Sequence, residues 1–253
     1  VLGEHLASSS LLGGGLFEGA GFFGAGGVLA AGPSVSAASA HFSQGAGAFG
    51  AGVFSVSGDS AAFKADFASQ GYGLTRGVGL WLARGDGARA DCGLRHPDPR
   101  EELALLSMCQ GVGHGPRAHA AGGMGLALVE GRGAALRASY FAQGSGYWHA
   151  FGGLYARGDG SFSQARRYSQ GTGVHAGVGF LSWRGSDGRL VNWGVGPSFG
   201  WDYGIGLLEL RGDRNALRAD WASGRGDVNG RALAEIAGDG NLLVLNDWGT
   251  GSF

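Results

Sequence analysis

The chain repeats itself with a period of about 27 residues, and the mark of each repeat is a glycine in a short polar turn. Ser57-Gly58-Asp59, Arg84-Gly85-Asp86, Glu130-Gly131-Arg132, Arg157-Gly158-Asp159, Arg184-Gly185-Ser186, Arg211-Gly212-Asp213 and Ala237-Gly238-Asp239 share this pattern. The successive steps between their glycines are 27, 46, 27, 27, 27 and 26, and Gly32 precedes Gly58 by 26. The long step is one repeat plus 19. A fixed period of this length restricts a chain to tandem or stacked supersecondary units.

A second turn falls midway. Gln70-Gly71, Gln143-Gly144 and Gln170-Gly171 follow Gly58, Gly131 and Gly158 at the same offset, 12. Two turns per repeat leave two short segments, each of strand length. After the marker, Phe63-Lys64-Ala65-Asp66-Phe67, Leu136-Arg137-Ala138-Ser139-Tyr140 and Leu217-Arg218-Ala219-Asp220-Trp221 alternate apolar and polar residues. That is the period-2 pattern of a strand with one apolar face. Before the marker, Gly77-Val78-Gly79-Leu80-Trp81-Leu82 and Gly204-Ile205-Gly206-Leu207-Leu208 are more apolar. Their alternate glycines expose backbone to close approach by another sheet, a ligand or a neighbouring chain.

Strands bounded by glycine and aspartate turns predict hairpins. The expected fold is all-β, with tandem 27-residue β-hairpin repeats giving about 16–18 antiparallel strands in one domain, 1–253. A single open sheet of that size is unusual. Closure into a barrel is the favoured solution, and a β-solenoid or multi-sheet repeat scaffold is the alternative. A hairpin at Gly212 sets Glu209 opposite Arg218, a pair contributing roughly 0.2–1 kcal/mol. The polar set Lys64, Asp66, Arg137, Glu209, Arg211, Arg218 and Asp220 then either lines a lumen or forms a solvated face.

With strands of this length, an apolar Leu217/Ala219/Trp221 face and a terminal Phe253, the chain resembles the outer-membrane β-barrel class. The resemblance is architectural. It implies a pore or structural anchor, with the lipid bilayer as partner. Three threonines in the whole chain and the absence of clean alternation before Phe253 depart from that class. The alternative function is a secreted β-repeat protein that binds a surface or self-assembles with identical subunits. Both readings are non-enzymatic and exported, to the outer membrane or the extracellular space. The start at Val1 is read as a processed end.

Residues 87–121 interrupt the repeat. Within them Pro97–Cys109 is the one predicted helix, with Asp98 as N-cap, Pro99 in the first turn, Glu101 and Glu102 at its positive end and Gly111 closing it. Cys92 and Cys109 flank it, and in an exported protein their default state is a disulfide. The competing reading is a metal site from Cys92, His96, Cys109, His114 and His119, which carry the ligand types zinc takes. No other cofactor is implied.

The remaining chemistry is sparse. A net charge of −1 and the lack of a basic cluster argue against nucleic acid. No Walker loop or HExxH motif is present, and none of the many Gly-x-Gly pairs opens a helix after a strand in a βαβ unit. The Arg-Gly-Asp triplets at 84–86, 157–159 and 211–213 look like cell-adhesion sequences, but they recur because the turn recurs. His149 and His175 are read as packed or surface histidines rather than a catalytic pair.

Overall fold

A computed structural model describes residues 10–15, 18–93, 96–98, 101–220 and 223–246. Each repeat is one coil of a parallel β-solenoid. A coil holds a corner strand, a long strand and a return strand, as in Gly173–Val174, Val178–Arg184 and Arg189–Asn192. The next coil repeats them as Phe199–Trp201, Ile205–Arg211 and Ala216–Ala219. Among the described residues these stack into sheets of eight corner, eight long and nine return strands. Register follows the marker step: Val178 pairs with Ile205 and Arg184 with Arg211.

This overturns the antiparallel hairpins, the closed barrel and the resemblance to outer-membrane barrels. The two segments beside a marker turn do not pair with each other; each pairs with its own counterpart one repeat away. Alternation alone cannot tell these cases apart, because any strand buried on one face alternates. The turn itself decides. Gly158 N–H donates to the Arg184 carbonyl of the next coil at 2.9 Å, and Ser186 N–H donates to the Asp159 carboxylate at 2.8 Å. Turn groups that would close a hairpin are thus satisfied along the stack.

The core lies between the long and return sheets. Phe54, Trp81, Leu181, Trp183 and Leu210 from long strands meet Phe63, Leu136, Leu190 and Leu217 from return strands. Phe63 packs edge-on against Trp81, with ring centroids 5.1 Å apart. A side chain of this size contributes about 1.5–3 kcal/mol on full burial. Among the described residues there is no lumen: Leu217 and Ala219 point inward and Arg218 outward. Trp221 and residues 247–253 lie outside the described residues.

The glycine-rich half of each long strand has its own task. A Cβ on Gly79 would overlap the Tyr72 carbonyl oxygen, and one on Gly73 the Met124 carbonyl oxygen. Corner and long sheets therefore meet backbone to backbone, which is the close approach the alternating glycines anticipate. Where the chain leaves the return strand, Gln44, Gln70, Gln110, Gln143 and Gln170 form a fully buried column. Gln143 Nε2 donates to Gln110 Oε1 at 2.9 Å, and Ser163 Oγ donates to Gln143 Oε1 at 2.8 Å.

The predicted helix at Pro97–Cys109 is absent. Pro97–Asp98 and Glu101–Cys109 are strands, antiparallel to each other. The second continues in parallel against Tyr140–Ala142, with Leu106 opposite Tyr140 and Cys109 opposite Ala142. The helix-forming composition of this stretch yields to the coil edge it must cover: Leu105 N–H donates to Ser139 Oγ, and Ser139 N–H to Ser107 Oγ. Pro99 lies outside the described residues, and Gly111 belongs to the Gln110-Gly111 turn.

The insertion divides between two corners of one coil. The offset from Cys92 to Gln110 is 18, where that from Ala165 to Gln170 is 5. The offset from His114 to Met124 is 10, where that from Tyr147 to Phe151 is 4. The first excursion is therefore about twice the size of the second. The coil then rejoins the stack in register, with Met124 opposite both Val78 and Phe151.

Candidate functional site

The polar residues singled out in the sequence lie in separate places, all but Asp66 on the outside. Lys64 and Arg137 flank Asp91 on the return sheet, where Arg137 Nη1 lies 3.8 Å from Asp91 Oδ1. Arg218 stacks on Trp193, 4.6 Å from its ring centroid, instead of meeting Glu209. Asp66 is buried at the end of its return strand, and Asp220 is near Asn246. Glu209 is on the long sheet between Arg184 at 3.0 Å and Arg211 at 2.6 Å, and Arg211 reaches on to Glu235 at 2.8 Å. Partial burial pushes the Glu209 carboxyl up. The Ser182 hydroxyl and the two guanidinium groups outweigh this and hold it below the usual carboxylate range.

Cys92 and Cys109 form a disulfide across the first excursion, with Cα atoms 6.4 Å apart. The histidines of the candidate metal set do not gather around it. His96 packs against Phe67, and His119 is exposed in the second excursion. His114 stacks on Tyr147 at 5.2 Å and meets the Tyr72 hydroxyl through Nδ1 at 3.1 Å. Burial lowers its pKa to about 4. Among the described residues, no three His, Cys, Asp or Glu side chains converge on a metal position. The acids of the Arg-Gly-Asp triplets are engaged in the stack: Asp86, Asp159 and Asp213 accept the N–H groups of Arg132, Ser186 and Asp239, each at 2.8 Å.

Two other surfaces stand out. The first is the outer face of the long sheet. Register aligns Val53, Leu80, Leu126, Phe180, Leu207 and Leu233 in one row, broken by Gly153, and Val78, Met124, Phe151, Val178 and Ile205 in the next. Val78 and Met124 are more than 40 % exposed and Leu233 61 %. The far edge of the face carries Arg84, Arg157, Arg184 and Arg211. Contiguous apolar surface of this extent marks an interaction site in a water-exposed protein.

The second is a cleft of about 410 Å³ at the corner between corner and long strands, lined by Trp148, His149, His175, Ala176, Asp202 and Tyr203. Backbone bonds place these residues in two columns. His149 N–H donates to the His175 carbonyl, Ala176 N–H to that of Asp202, and His175 N–H to that of Trp201. Ala176 carries the smallest side chain among them. The left-handed backbone here belongs to the fold, since Phe23, Phe49 and Arg76 adopt it at the same corner of other coils. His175, 6 % exposed, pairs through Nδ1 with the Asp202 carboxylate. Sequence reasoning missed this cleft, although the signal was available: Trp148, His175 and Asp202 are spaced by one full repeat, as are His149, Ala176 and Tyr203.

Comparison with family models, with curated proteins and with solved structures finds no match for this chain.

Proposed function

We propose that this chain is a non-enzymatic, exported β-solenoid scaffold that self-associates through the outer face of its long sheet. One observation carries the reading: the register-aligned apolar rows running from Val53 to Leu233 across the face. Side chains repeating at the rung spacing of about 4.8 Å are matched best by a second stack with the same spacing. That argues for a second copy as the occupant.

Size supports it. Eight strands at that spacing and seven residues of length present roughly 700 Å² per copy, close to the share each partner contributes to a standard interface. A two-fold axis along the solenoid runs the facing strands antiparallel. It sends the two arginine edges to opposite rims, giving an apolar centre and a charged border. The Cys92–Cys109 disulfide supports an oxidising compartment.

Sedimentation velocity in detergent-free buffer tests the proposal. The wild-type chain is expected to be dimeric or larger at about 10–100 µM, where interfaces of this size commonly hold. Leu80→Lys with Leu207→Lys is expected to sediment as a monomer with unchanged far-UV circular dichroism. A wild-type monomer at the top of that range overturns the reading, and its flotation with phosphatidylglycerol vesicles would assign the face to lipid instead.

A further inference from the structure

The shallow cleft at the coil corner shares none of its lining residues with the outer face of the long sheet. Its floor is Ala176, the smallest of its lining residues, with longer side chains on the coils to either side. His149 belongs to one neighbouring coil and Tyr203 to the other, so their backbones stand two rungs, about 9.6 Å, apart. Tyr203 is 66 % exposed. A phenol held out into water beside a slot is a surface awaiting contact.

The polar groups of the slot are fixed from beneath. His175 is buried under rings from three residues, with centroids 5.2 Å away at Tyr147, 5.7 Å at Trp148 and 5.4 Å at Trp201. Its Nδ1 holds the Asp202 carboxylate, whose side chain remains about a third exposed. A carboxylate has about four lone-pair sites, so that single bond leaves it free to accept hydrogen bonds from the cleft. His149 adds an exposed imidazole edge. The second excursion of the interrupted coil reaches the same place: the Arg117 guanidinium lies 5.9 Å from the Trp148 ring centroid.

These features select a ligand class. An anion would meet the Asp202 charge, and a cation would meet Arg117. A flat aromatic would leave the free lone pairs of the carboxylate without donors. A neutral pyranose suits Asp202 and the rings, because a C–H face can pack on the exposed Tyr203 or His149 ring while its hydroxyls donate to Asp202. We infer that this corner cleft is a binding site for one neutral pyranose unit of a saccharide, positioned by Tyr203, Asp202 and His149.

The test uses the full chain and a defined panel: methyl α- and β-pyranosides of glucose, galactose, mannose and N-acetylglucosamine, with choline chloride as a cationic control. Saturation-transfer NMR identifies binders and calorimetry measures them. At least one pyranoside is expected to bind with Kd of about 1 mM, typical of a single shallow contact site. Tyr203→Ala and Asp202→Asn should each weaken that binding at least fivefold. Tyr203 is exposed, so its variant keeps the fold, and Lys64→Ala on the return sheet should bind as wild type. Silence across the pyranoside panel overturns the assignment. So does binding that survives Tyr203→Ala and Asp202→Asn undiminished, or binding of choline alone.

Discussion

A Cβ on Gly158 would fall on the carbonyl oxygen of Gly131, the marker glycine one coil earlier. The same overlap recurs from Gly85 on Gly58 to Gly238 on Gly212. This column fixes the distance between arches, and its backbone is in a region closed to other residues, with φ of +148° at Gly158. Gly160, two residues on, also has positive φ, at +64°, but nothing lies within 4 Å of its missing Cβ. Gly160→Ala should therefore cost about 1–2 kcal/mol, the ordinary penalty of a left-handed residue. Gly158→Ala should cost well above that, because backbone must move in two coils. Urea titration of both variants by circular dichroism separates them, and equal costs would refute the stacking argument.

The glutamine column should behave as a coupled network. Gln143→Leu leaves Gln110 Oε1 without the Gln143 donor and removes the acceptor of the Ser163 hydroxyl. A buried polar group stripped of its partner costs about 1–3 kcal/mol. Replacing both Gln110 and Gln143 by Leu should cost less than the sum of the single variants, since the pair is then removed together. Additive losses in a double-mutant cycle would show that the two amides act independently.

Acid should weaken the fold through His114 before it touches the carboxylates. Folding favours the neutral imidazole, with a pKa of about 4 against 6.5 for the free side chain. Above about pH 6.5 neither state binds the proton, and the contribution is fully present. Between about 6.5 and 4 the unfolded chain binds it and the folded chain does not, so stability falls. The loss is on the order of 2–3 kcal/mol. Stability measured by urea titration from pH 7.5 to 4.5 should decline for the wild type and flatten in His114→Gln. An unchanged slope in the variant would place the titrating group elsewhere.

The Cys92–Cys109 bridge closes a sequence separation of 17 that contains the larger excursion. Loop closure of this length is worth about 3 kcal/mol in the chain-entropy model. Reduction should make residues 93–108 the first site of proteolysis, while the other coils, which contact only their neighbours, keep their protection. Mass spectrometry of timed digests with and without reductant checks this. Cleavage beginning in the coil of Val178–Arg184 would contradict it.

Much of this architecture is legible in residues. The spacing of the marker glycines is the coil length, and the alternation in Leu217-Arg218-Ala219 states which side chains are inside. The partner of each strand is not legible from alternation. Glu209 and Arg218 face each other in a hairpin, whereas in a coil they lie on opposite sheets, and nothing local separates the two cases. Leu103-Ala104-Leu105-Leu106 has helical composition, and only pairing beside Tyr140–Ala142 makes it a strand. The corner cleft is not legible from neighbours along the chain. Trp148, His175 and Asp202 become one cluster only when residues a full period apart are set side by side.

The coil that carries the insertion returns to register as if it carried none. Its additions lie at two corners, and neither the long strand nor the marker arch bears any part of them. The second corner is thus a port. A foreign peptide grafted at 116–121 would be displayed on a frame whose rungs do not shift, and a string of such coils could carry several grafts at set intervals along one axis.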